Sequence, residues 1–274
     1  MRIDRISEQI YVFISDLYVQ VSATVVLTPE GAVVFDTLPF PSETRQMLDF
    51  CHAQMGPRSV RYLVLTHHHS DHVNGAYLFQ EAQVIAHSHC RDMLAVHGPA
   101  NLARGRRQNA ALADAELRLP DMVFDDELHL HLGEQHIELM HLGGHTDDIV
   151  GGFIQSERVF VASDAMMPVP HVAGGSVADL KGALRRIRDS KPAFVVQGHG
   201  DVLLKGEVAE TVQANLAYLD KIVATVHEIV DKGIDPAILR RIDIEACGLS
   251  RIPLDGKVSQ LHLANLVSLY REFS

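Results

Sequence analysis

The chain has 274 residues, 47% of them hydrophobic, enough to bury one large core of mixed helix and strand. Its formal net charge of −11 argues against a nucleic-acid backbone as the main partner, because proteins that bind one usually carry a basic face. Cys51, Cys90 and Cys247 lie far apart and form no Cys-x-x-Cys pair, so no disulfide framework is expected. The segment Met1–Arg5 lacks the basic-then-apolar pattern of an export signal, and no apolar run reaches the roughly twenty residues that span a bilayer. The protein is read as soluble, cytoplasmic and not membrane-bound.

Strands are expected at Ile10–Ile14, Ala23–Leu27 and Ala32–Phe35, the last two separated by the turn-forming Pro29-Glu30-Gly31. A helix over Ser42–Gln54 leads to a strand at Tyr62–Leu65. A histidine-rich run follows, then a short helix over Asn74–Gln80 and a strand at Gln83–Ala86. Residues 88–120 break the pattern and read as a helical insertion near the mouth of a site. Its basic cluster Arg104-Gly105-Arg106-Arg107 reads as a solvated face.

A second set of strands is expected at Glu127–Leu132, His136–His141, Ile149–Ile154 and Arg158–Ala162. The helix Val177–Arg188 opens with Ser176 and Asp179 in capping-box spacing and leads to a strand at Phe194–Val196. In the tail, residues 205–274, Val208, Val212, Leu216, Leu219, Val223, Val226 and Val230 form one helical stripe. Packing on the core is the default for this stripe; a lid over the site or a homodimer seam are its alternatives. A last helix spans Val258–Phe273. Two rounds of strands followed by helices fit an αββα sandwich, two mixed β-sheets flanked by helices, in a single domain over 1–274.

The densest chemistry is Thr66-His67-His68-His69-Ser70-Asp71-His72, directly after an apolar strand. Alternation at a strand end turns His67 and His69 to one side, and Asp71 and His72 reach an adjacent point. Imidazole and carboxylate suit zinc, and also manganese or iron. A metal centre there needs further ligands. His145, Asp164 and His199 each follow a strand-like segment, with glycines beside both histidines that let the backbone turn sharply.

With these segments the chain resembles the metallo-β-lactamase-fold hydrolases, which include glyoxalase II, lactonases and the β-lactamases. The resemblance runs from about Ile10 to about residue 204. It implies that His67, His69 and His145 bind one divalent ion, that Asp71, His72 and His199 bind a second, and that Asp164 bridges them. The ions are expected to be zinc, with iron or manganese as alternatives. Gly31–Thr37 resembles the family's early strand ending in an aspartate, which makes Asp36 a candidate to orient a ligand. The loop after Asp164 tends to approach the site in this family, so His171 is a candidate substrate contact.

The implied chemistry is hydrolysis of an ester, thioester, lactone or lactam of a small molecule by water that the two ions acidify. Asp71 would be the catalytic proton acceptor or relay. Asp164 stands where zinc β-lactamases generally have cysteine or serine, which tilts the expectation toward glyoxalase-like and lactonase-like activity. The alternatives are a di-iron redox protein on the same ligands, or a metal-bound ligand-binding protein without turnover. His68 should point away from the ions. His87 and His89 read as structural or solvent-facing, His129 and His131 as the polar face of a strand, and Ser163 as packing.

Overall fold

A computed structural model describes residues 1–274. The first sheet contains β1 (Arg2–Arg5), β2 (Ile10–Ile14), β3 (Ser22–Val26), β4 (Ala32–Phe35), β5 (Val60–Val64), β6 (Gln83–His87) and β7 (Met122–Phe124), in that order across the sheet. Pairing is antiparallel as far as β4 and parallel from β4 to β7. Each parallel step needs a crossover. These are α1 (Pro41–Met55), then α2 (Ser70–Val73) with a 3₁₀ turn at Ala76–Leu78, then α3 (Ser88–Gln108).

The second sheet has the order β13-β12-β11-β10-β9-β8. Its strands are β8 (Glu127–Leu132), β9 (Gln135–His141), β10 (Val150–Ile154), β11 (Val159–Ser163), β12 (Phe194–Gln197) and β13 (Leu203–Leu204). Only β11 and β12 run parallel, joined through α4 (Val177–Asp189). The helices α5 (Lys205–Asp231) and α6 (Val258–Phe273) complete the chain.

Strand alternation builds the layers. On β4, Val33 and Phe35 enter the core between the sheets, while Ala32 and Val34 face the core beneath the helices on the outer side. Opposite Val33 and Phe35, the second sheet supplies Ile137, Leu139, Val150 and Val161. Its outer face, with Phe160 and Val195, packs against Leu184 of α4, Leu219 of α5 and Leu266 of α6. This is the expected αββα sandwich of mixed sheets with C-terminal helices.

Several local expectations shift. The unanticipated β1, β7 and β13 are short sheet edges, and β1 and β7 are largely solvent-exposed, so they lack the alternating pattern that marks a half-buried strand. Of the helix expected over Asn74–Gln80 only the 3₁₀ turn Ala76–Leu78 forms, and the single α-turn α2 precedes it. Residues 88–108 form one continuous helix although Pro99 lies inside it. The missing Pro99 N–H frees the carbonyl of Ala95, a solvent-exposed residue, where water can serve it. On α5, Ile222 and Ile229 are buried in place of the expected Val223 and Val230, which are half-buried. No helix is long and apolar enough to cross a membrane.

Candidate metal centre

One edge of the sandwich gathers the ligand-type residues. The end of β5 delivers Thr66 to His69, and α2 carries Asp71 and His72. The β9–β10 loop supplies His145, and the ends of β11 and β12 supply Asp164 and His199. Backbone bonds stitch the two sheets together here: Val150 N–H donates to Thr66 O at 2.8 Å and Ser22 N–H to Gly198 O at 2.9 Å. Gly198 also makes room, because a Cβ there would fall 1.8 Å from Asp164 Oδ1.

The seven residues form two groups, His67, His69, His145 and Asp164 in one, and Asp71, His72 and His199 in the other. His69 Nδ1 and His145 Nε2 are 3.1 Å apart. Asp164 faces both groups. Its Oδ2 lies 3.3 Å from His145 Nε2 and 3.8 Å from His67 Nε2, while Oδ1 lies 3.3 Å from His72 Nε2 and 3.6 Å from His199 Nε2. Asp71 Oδ2 completes the second group, 3.6 Å from His199 Nε2.

Outer contacts fix which ring nitrogen three of the histidines offer. His145 Nδ1 donates to His171 O at 2.7 Å and His199 Nδ1 donates to Val19 O at 2.8 Å. A carbonyl only accepts, so Nδ1 carries a proton and Nε2 is the nitrogen turned to the centre. His72 Nδ1 is held at 2.8 Å by Asp36 Oδ2. Asp36 also accepts from Thr66 N–H and the Thr66 hydroxyl, both at 2.7 Å, and from the Ser163 hydroxyl at 3.2 Å.

Charge follows burial and neighbours. Burial, with His72 and His69 adding to it, holds His67 well below the ordinary histidine range. Burial pushes His145 down to about 3 and also lowers His69, against the pull of Asp164 on both. Burial opposes charge on His72 and His199 too, yet Asp164 and its carboxylate neighbours outweigh it and raise both. In the same way His199, His72 and His145 overcome the burial of Asp164 and hold it well below the usual carboxylate range.

A metal ion fits this cluster. The buried His67 Nε2, His72 Nε2 and Asp164 Oδ1 have no hydrogen-bond partner. Buried polar atoms left unpaired in this way are costly, and here they face the other ligand-type atoms. Five imidazoles and two carboxylates match the donors preferred by zinc, iron and manganese.

The remaining histidines lie outside the two groups. His68 turns to Asp148, which holds its Nδ1 at 3.0 Å and accepts its backbone N–H at 2.8 Å. His87 accepts from His89 N–H at the start of α3 and contacts Asp125 O at 2.9 Å. His129 and His131 are exposed. The His171 ring is half-buried, with Nδ1 at 2.9 Å from Asn265 Oδ1. Ser163, expected only to pack, is a polar tie that contacts Asp36 and Thr66 through its hydroxyl.

Three supporting residues escaped the sequence reading. Asp148 lies three positions after His145, a spacing that could have marked it. Asn265 of α6 is buried, accepts Val172 N–H at 3.2 Å and donates to Pro170 O at 2.7 Å. Its neighbour on the same helix face, His262, is 2.8 Å from the Tyr218 hydroxyl. Polar residues three apart on the apolar face of a helix were the available signal.

The family described as the metallo-beta-lactamase superfamily matches residues 17–199. No protein of curated function matches the chain. Among solved structures, a metallo-beta-lactamase from Pontibacter korlensis is 21% identical with a TM-score of 0.62, covering 78% of this chain and 98% of that one. A crystal structure of VMB-1 at pH 5.5 is 16% identical with a TM-score of 0.60, covering 78% of this chain and 96% of that one. At these identities the likeness concerns the fold.

Proposed function

Because the chain belongs to the metallo-β-lactamase superfamily, we propose that it is a dinuclear metal-dependent hydrolase of small molecules. The observation that carries this reading is Asp164, a buried carboxylate with one oxygen toward each ligand group. His67, His69 and His145 would hold one ion, Asp71, His72 and His199 the other, and Asp164 both. Zinc suits these donors best, with iron or manganese as alternatives. Bound there, two divalent ions supply Lewis acidity and water acidified toward neutral pH.

The chain's own residues do the rest. Asp36, His171 O and Val19 O lock the rings of His72, His145 and His199, so the ligand atoms are fixed before substrate arrives. Asp71 is the ligand carboxylate with a path to solvent, its side chain 22% exposed against 5% for Asp164. It takes up the proton of the attacking water at its carboxylate and passes it to the leaving group. His171, half-buried on the loop that holds His145, contacts the substrate. An aspartate at position 164 in place of cysteine or serine favours an ester, thioester or lactone over a lactam.

Metal analysis of the protein and of Asp164→Ala, with assays on esters, thioesters, lactones and β-lactams, tests the reading. Two ions per chain and turnover of at least one class are expected, both lost in the variant. Retention of metal and turnover in Asp164→Ala would refute the bridging role. Two irons with redox-linked absorption and no hydrolysis would point instead to a redox protein.

A further inference from the structure

We propose that the cavity beside the metal centre binds a negatively charged group of the substrate, with Arg104, Asn101 and Asn109 as its donors. This rests on the hydrolase reading above. A cavity of about 380 Å³ is lined by Tyr18 and Asp71 together with these three residues at the end of α3 and just beyond it. Asp71 belongs to the second ligand group, so a molecule in this cavity lies against one residue of the centre.

The hydrogen bonds decide what the far wall can bind. Arg104 Nη2 donates to Asn101 Oδ1 at 2.7 Å, and Ala111 N–H donates to Asn109 Oδ1 at 2.9 Å. Both donors can only donate, so each contact fixes its amide with the oxygen engaged in the wall. The NH₂ groups of Asn101 and Asn109 and the remaining guanidinium N–H groups are left over. Asn74, near Asp71, is fixed the other way, with Nδ2 donating to Pro39 O at 3.2 Å. The α3 side is therefore rich in donors and carries a cation, the complement of a carboxylate or phosphate.

Two 4-nitrophenyl esters of equal acyl length test this, the pentanoate and the glutarate monoester, assayed on the zinc-loaded protein. We expect kcat/KM to favour the anionic ester about tenfold or more, as a hydrogen-bonded charge allows. Arg104→Ala should bring that ratio toward one, and Arg104→Lys should restore it in part. Calorimetric titration with glutarate should show weaker binding to Arg104→Ala than to the parent. Equal ratios in parent and variant, with equal glutarate binding, would overturn the subsite. Hydrolysis of neither ester, nor of the thioesters, lactones and β-lactams named above, with glutarate binding still dependent on Arg104, would support the subsite while overturning the hydrolase reading.

Discussion

Asp36 shows how much a single side chain can organise. It leaves β4 with φ +59°, a left-handed conformation unusual for aspartate, and from there its two oxygens meet four donors. Replacing it with alanine strands those donors in a buried site. Asp36→Ala should cost about 2–4 kcal/mol of stability, read by denaturant unfolding, and should release His72 so that the second ligand group loses metal first. The ligands themselves carry a pH signature. His72 and His199 have raised pKa values, so without metal they keep their protons above the pH at which an ordinary histidine loses them. Metal binding must expel these protons, whereas His67, His69 and His145 are already neutral at pH 7. Affinity at the second group should therefore rise with pH until the raised values are passed, then level off. Calorimetry in buffers of different ionisation enthalpy would read the released protons, and uptake at pH 7 without proton release would contradict this.

Among the elements, α6 reaches the centre through one residue. Asn265 clasps Pro170, His171 and Val172, and the His171 carbonyl holds His145. Asn265→Leu fills a similar volume but drops these bonds, so metal affinity should fall about tenfold or more in chelator competition. A matching loss in the distant Asp36→Ala alone, with none in Asn265→Leu, would remove α6 from the support of the centre. All seven ligand-type residues were visible in the sequence, because metal chemistry restricts residue types and each lies within a few residues of a strand end. Asn265 was not, since its partners lie elsewhere in the chain and its one local mark, a polar residue on an apolar helix face, does not say what it binds. The α5 stripe was legible only in part. Ile222-Val223 and Ile229-Val230 are adjacent apolar pairs, and helical periodicity alone does not choose between neighbours. The short edge strands escaped because two to four residues are too few to show a period.

At the scale of the molecule, the centre sits where the two sheets meet, and no single element could build it. Its ties span long stretches of chain: 127 residues from Asp36 to Ser163, 94 from His171 to Asn265 and 180 from Val19 to His199. Long loops are slow to close, because their entropy must be given up before the contact forms. Helical hairpins and adjacent strands can return early in refolding, while the ligand set stays open until these distant contacts close. Metal capture should accordingly lag behind recovery of helical signal when unfolded chains are diluted into zinc with a competing indicator dye. Uptake that kept pace with the helical signal would mean that a partly folded chain already binds. With the lag, the ion acts as a proofreader of folding, retained firmly only by chains whose far-apart segments have all arrived.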